Sequence, residues 1–285
     1  MANNAIWTIG DVVITRIVEQ TAVLPLQGIL PEAPSDAIQK HMGWLKPFVQ
    51  DAENIEMSIH ALLIESQGQR IVVDTCLGND RTYPGIENFS DLSGPFLKDI
   101  AEADFARETV DTVLCTHLHF DHVGWNTMLV DGAWVPTFPN ARYLFGRTEW
   151  EHWSAEEGIH TPNFGDTVRP VVDAGLADFV ASDHRVTDEV WLEPTPGHTP
   201  GHVSVRISSR GEEAVITGDL VHHPIQLAEP QWKMLADSDP ALATATRIAF
   251  VERYGDKPVL VIGTHFGGPT AGHIVRDGDR CRFEA

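Results

Sequence analysis

Short apolar runs that stop on a histidine or an aspartate dominate this sequence. Thr112-Val113-Leu114 runs directly into Cys115-Thr116-His117-Leu118-His119-Phe120-Asp121-His122. Ala214-Val215-Ile216-Thr217 ends at Gly218-Asp219, and Val259-Leu260-Val261-Ile262 ends at Gly263-Thr264-His265. Glu189 to Glu193 leads through a Pro/Gly-dense turn to His198. Runs of this length and composition, bounded by turn residues, read as strands. Helical stretches lie between them, which predicts an α/β fold. Polar residues at the ends of several strands are what convergent strand-end loops need to build one site.

The densest cluster carries the chemistry. His117, His119 and His122 with Asp121 put three imidazoles and a carboxylate into six residues. Neutral imidazole and carboxylate are the ligands that zinc and its first-row neighbours prefer. Strand-like spacing sends His117 and His119 to the same side of the chain. By chance the pattern would arise in roughly three of a thousand such chains, so a metal site is the reading adopted.

Composition narrows the function classes. The chain has 285 residues, 42% of them hydrophobic, enough for a substantial core. A formal charge of −21 argues against nucleic-acid binding, whose phosphate contacts are made by Lys/Arg clusters absent here, and it disfavours an anionic membrane surface. No run approaches the roughly 20 apolar residues of a membrane span. Met1 to Trp7 lacks the basic flank and apolar core of a secretory signal, so a cytoplasmic enzyme is expected. The 3 cysteines, Cys76, Cys115 and Cys281, form no C-x-x-C pair and predict neither a disulfide framework nor a Cys-rich zinc site.

Along the chain, Asp11 to Glu19 reads as a strand, and Met57 to Glu65 with Arg70 to Asp74 as a hairpin. Helices are expected near Phe96 to Ala106, from Glu149, and from an Asp239 N-cap with Pro240 to about Tyr254. Gly272 to Phe283 reads as a final hairpin around Asp277-Gly278. No linker divides the chain, so 1–285 is expected to be a single domain, with an N-terminal arm or loop at about 20–55. Within it, His41 to Gln50 is a lid, a homodimer contact, or packing on the domain surface. Trp44, Phe48, Phe89, Trp125, Trp153 and Trp232 are the candidates for an apolar substrate wall.

Taken together, these motifs resemble the metallo-β-lactamase superfamily. The resemblance rests on T-H-L-H-F-D-H-V-G at Thr116 to Gly124, P-G-H-T-P-G-H at Pro196 to His202, T-G-D at Thr217 to Asp219, and G-T-H at Gly263 to His265. It implies a four-layer αββα sandwich with the site at one edge. It further implies that His117, His119 and His198 bind one metal, that Asp121, His122 and His265 bind a second, and that Asp219 bridges them. Two divalent ions ~3.5–4 Å apart would hold a hydroxide that attacks the substrate, with Asp121 relaying a proton to the leaving group. An oxygen-reducing diiron branch typically carries Glu where this chain has His119. That points to zinc and hydrolysis, with Mn, Fe and Co as alternative ions.

The overall look is similar to the lactonase and organophosphate-hydrolase-like group. This implies a small-molecule substrate with a lactone or carboxylic ester bond, of the acyl-homoserine-lactone kind. Phosphotriester hydrolysis, a glyoxalase II-type thioesterase and a non-catalytic metal-binding module are the alternatives. Acyl-homoserine lactonases usually carry a tyrosine three residues after the bridging aspartate. Here that residue is His222, an imidazole able to donate the same hydrogen bond or to protonate a leaving group. Asp74, at its strand end, is expected to orient a ligand imidazole, and His202 either does likewise or shapes its turn.

Overall fold

The computed structural model describes residues 4–155 and 163–285; Met1 to Asn3, at the start of the N-terminal stretch read above, lie outside them. The first half of the chain forms strands β1 (Ile6–Ile9), β2 (Val12–Pro25), β3 (Asn54–Ser66), β4 (Gln69–Val73), β5 (Thr112–Leu114), β6 (Thr127–Val130), β7 (Ala133–Pro136), β8 (Arg142–Gly146) and β9 (Ala177–Val180). The second forms β10 (Val190–Pro194), β11 (Val203–Ser209), β12 (Glu212–Ile216), β13 (Val259–Ile262), β14 (Ala271–Asp277) and β15 (Arg280–Glu284). Among the described residues these make a seven-stranded sheet, β1-β2-β3-β4-β5-β8-β9, and a six-stranded sheet, β10 to β15 in order. β6 and β7 form a separate hairpin.

The alternation of side chains along the strands builds the layers. In β3, Leu62 and Ile64 face the second sheet while Ala61 and Leu63 face the outer helices; in β4, Ile71 and Val73 point inward and Val72 outward. In the second sheet Ala214 and Ile216 point inward, and Val215 and Val261 turn outward toward Phe250, Val251 and Tyr254 of the helix Pro240–Tyr254. Strands apolar on both faces are buried on both faces, which is why they read as continuous apolar runs. The result is the αββα sandwich, with one apolar layer between the sheets and one under the helices on either side.

Residues 20–55 depart from the expected arm. β2 continues to Pro25, paired with β3 as far as Pro25↔Asn54. Leu26–Ile29 and Ala37–Leu45 are helical. Proline and glycine suggested loop here, but Leu26, Ile29, Leu30, Ile38 and Leu45 bury against Ile55, Met57 and Ile225, so tertiary packing decides the local structure. Phe48 is fully buried against Phe266 and Phe283, which places the apolar residues of 41–50 within the chain's own packing. The helix Pro240–Tyr254 starts where the sequence predicts, with the Asp239 carboxylate accepting from the Leu242 amide at 3.0 Å. No helix among the described residues is long and apolar enough to cross a membrane.

Candidate metal centre

Four loops meet at one edge of the sandwich. β5 delivers His117, His119, Asp121 and His122; the turn after β10 delivers His198; Asp219 follows β12 and His265 follows β13. Ligand atoms of His117, His119, His198 and Asp219 lie within 4.8 Å of one another, and so do those of Asp121, His122 and His265. Every donor in the two groups is buried except Asp121, which is partly open.

Asp219 lies between the groups with its oxygens divided. Oδ2 is 3.7 Å from His117 Nε2 and 3.4 Å from His198 Nε2. Oδ1 is 3.3 Å from His122 Nε2 and 3.2 Å from His265 Nε2. His122 and His265 also direct their Nε2 atoms at each other across 3.3 Å. His117 Nε2 and Asp219 Oδ1 are buried without a hydrogen-bond partner, an arrangement that costs free energy unless something else binds them. Imidazole and carboxylate donors aimed at common points, with two of them otherwise unsatisfied, fit divalent cations.

The electrostatics agree with that fit. Burial holds His117 and His198 far below the ordinary imidazole range, so both are neutral donors. Burial also works against a charged His122, but Asp219, Asp121 and Asp74 outweigh it and hold His122 well above its usual value. The carboxylate charge concentrated here is what a divalent ion would neutralise.

Several of the donors are held from behind. Asp74 places Oδ2 3.0 Å from His122 Nδ1 and accepts the Thr116 amide through Oδ1 at 2.8 Å. His265 Nδ1 lies 3.0 Å from the Ser58 carbonyl, and the Ser58 amide donates back to the His265 carbonyl at 3.1 Å. His202, burial pushing its imidazole down to about 4, is a neutral acceptor for the Asp219 amide at 2.8 Å. Gly218, with φ +55°, permits this: a Cβ there would meet His202 Nε2 at 2.6 Å. The glycine closing the His-rich motif is a second close approach, since a Cβ on Gly124 would lie 1.8 Å from the Leu77 carbonyl oxygen.

His222 lies in the same pocket of side chains. It is buried, its Nε2 is 3.1 Å from Asp219 Oδ2, and its ring stacks on His265 at 5.7 Å and 11°. Neither of its ring nitrogens has a hydrogen-bond partner. Of the six aromatics proposed as a substrate wall, Trp153 lies beside the cluster, 5.5 Å from the His119 ring. Phe48 is core, and Trp125 stacks on Phe96 beneath the first sheet.

Sequence reasoning misses two supports. Glu149, buried in the helix Arg147–Trp153, accepts from the amides of Leu118 at 3.3 Å and Gly201 at 2.6 Å, tying two ligand loops together. Asp237 places Oδ1 3.1 Å from His198 Nδ1. Nothing in the sequence separates Glu149 from a solvated helix residue or Asp237 from a turn aspartate.

The model of the Metallo-beta-lactamase superfamily matches residues 55–265. An N-acyl homoserine lactonase of a Bacillus species is 25% identical over 223 residues, covering 74% of this chain and 82% of its own length. A probable metallo-hydrolase of Mycobacterium tuberculosis is 24% identical over 286 residues, covering 88% and 86%. Among solved structures, a hydrolase of the beta lactamase superfamily, AbOPH, superposes with a TM-score of 0.80 at 23% identity over 99% of this chain and 97% of its own. AidC, a dizinc quorum-quenching lactonase bound to its product, superposes with a TM-score of 0.78 at 20% identity, over 99% and 96%.

Proposed function

Because the chain belongs to the metallo-beta-lactamase superfamily and is a hydrolase, we propose that it cleaves lactones or small carboxylic esters on a pair of divalent cations. His117, His119 and His198 would hold one ion, Asp121, His122 and His265 the other, with Asp219 shared. The observation that carries this reading is the division of Asp219, Oδ2 toward one histidine group and Oδ1 toward the other. Zinc is the ion the imidazole-rich donor set suits best. Divalent ions bound there supply Lewis acidity toward a carbonyl oxygen and bring the pKa of water down to near neutrality.

The chain's own residues then orient the substrate and move protons. His222, buried with its Nε2 3.1 Å from Asp219 Oδ2 and neither ring nitrogen hydrogen-bonded, is placed to donate a hydrogen bond to the substrate carbonyl or a proton to the leaving oxygen. Asp121, the one donor not buried, is the group that can pass a proton between the site and solvent. The lactonase names among relatives at 24–25% identity support lactones, acyl-homoserine lactones included, as the bond class to test first.

The deciding experiment is a hydrolysis panel with the zinc-loaded protein. It includes γ- and δ-lactones, acyl-homoserine lactones, aryl esters, thioesters and phosphotriesters. Turnover concentrated on lactones or esters supports the reading. Turnover confined to thioesters or phosphotriesters overturns it in favour of that bond class, and none at all leaves a metal-binding module.

A further inference from the structure

The helix Pro240–Tyr254 buries an arginine completely, and its ionic partner touches the site. Arg247 is 0% exposed. Its NH2 group is 3.4 Å from Asp237 Oδ2, and neither side chain has any exposed surface. Asp237 Oδ1 is 3.1 Å from Nδ1 of His198, whose Nε2 points toward Asp219. The Met234 amide completes the carboxylate, donating to Oδ2 at 3.1 Å. The rest of the guanidinium binds backbone: Nε donates to the Leu220 carbonyl at 2.8 Å, and NH1 to the carbonyls of Pro230 at 3.1 Å and Trp232 at 2.9 Å.

A buried ion pair is weak support for stability, because desolvating both charges consumes most of their attraction. Its geometry, however, answers a need of the metal site. A ligating imidazole must present one nitrogen lone pair, so its other nitrogen must carry the proton, and an ionised carboxylate at that nitrogen fixes this tautomer. Asp237 is the carboxylate at that nitrogen of His198, and Arg247 holds it in place. The Ser238 amide donates to the His198 carbonyl at 2.9 Å and the Asp239 amide to the Gly197 carbonyl at 2.9 Å, so the whole segment is clamped to the ligand turn. The second donor group has other anchors. His122 leans on Asp74 and His265 on the Ser58 carbonyl, both from the first sheet.

We propose that Asp237 and Arg247 are positioning residues dedicated to the ion held by His117, His119, His198 and Asp219. The first group then has an anchor in the second half of the chain, distinct from the Asp74 and Ser58 contacts behind His122 and His265. This inference rests on the two-ion reading above.

The test is zinc competition against a chelator in the full chain, followed by elemental analysis, with visible spectra of the cobalt-substituted protein as a second readout. The parent should retain two zinc ions. Asp237→Asn should weaken one of them roughly 10- to 100-fold and leave the other at parent affinity, with half of the cobalt signal lost first. Arg247→Met should reproduce this pattern; if that variant fails to fold, Asp237→Asn alone decides. Parent affinity for both ions in folded Asp237→Asn overturns the inference, and so does equal weakening of both, the mark of a general structural role. A parent that holds fewer than two zinc ions overturns the two-ion reading, and the inference with it.

Discussion

Asp74 closes the hairpin's second strand with Oδ2 3.0 Å from Nδ1 of His122 and Oδ1 2.8 Å from the amide of Thr116. One carboxylate thus fixes both the ring of a donor and the backbone leading into the His-rich loop. Asp74 reaches this position with φ +56°, a left-handed conformation uncommon outside glycine and tolerated best by Asp and Asn. Asp74→Asn is expected to lower metal affinity or activity roughly 10- to 100-fold, the usual cost of losing a partner behind a ligand. Elemental analysis after dialysis, paired with kcat, checks this; parent values in both would remove Asp74 from the site's support.

Asp219 is the donor common to both groups, so its loss should cost more than loss of any outer partner. Asp219→Ala should reduce hydrolysis by at least about a hundredfold, the upper end of outer-partner effects, while circular dichroism still reports a folded chain. A folded variant with full activity would refute the shared-carboxylate arrangement.

His222 separates a role toward substrate from a role toward metal. His222→Ala should lower kcat by about 10²- to 10⁴-fold, the range of general acid–base contributions, with metal content unchanged. His222→Tyr keeps a donor at the same place and should retain more activity than alanine. An unchanged kcat in the alanine variant retires the assignment.

Gly124 tests the backbone beneath the motif. A methyl group there would approach the Leu77 carbonyl oxygen to 1.8 Å, and the Gly124 amide already donates to the Cys76 carbonyl at 2.7 Å. The backbone must shift to admit it, so Gly124→Ala should destabilise by about 1–3 kcal/mol, as overpacking typically does. Urea midpoints of parent and variant measure this; coincident midpoints would show that the loop yields freely.

Much of this was legible in the sequence, for identifiable reasons. β5 and β13 could be read because their apolar residues are buried on both faces of their sheets and run without a charged interruption. His117 to His122 could be read because the donors fall within one short segment. His198, Asp219 and His265 became legible only as a set, since each alone resembles an ordinary strand-end residue. The helices between Pro25 and Leu45 were not legible, because their stability comes from partners such as Ile225 that local pattern cannot reveal. Asp237 and Glu149 were hidden for the same reason: their partners lie 39 and 52 positions away, for His198 and Gly201 respectively.

The reciprocal contact between Ser58 and His265 has a bearing on when the protein becomes competent. These residues are 207 positions apart in a chain of 285, so the contact joins the first sheet to the second across most of the sequence. Contacts of such separation form late, after the entropy of closing the intervening chain has been met by other pairings. During synthesis the His-rich loop emerges long before its last companion does. In the two-ion reading the site is complete only once both sheets exist, so a chain interrupted before His265 is expected to lack hydrolytic activity.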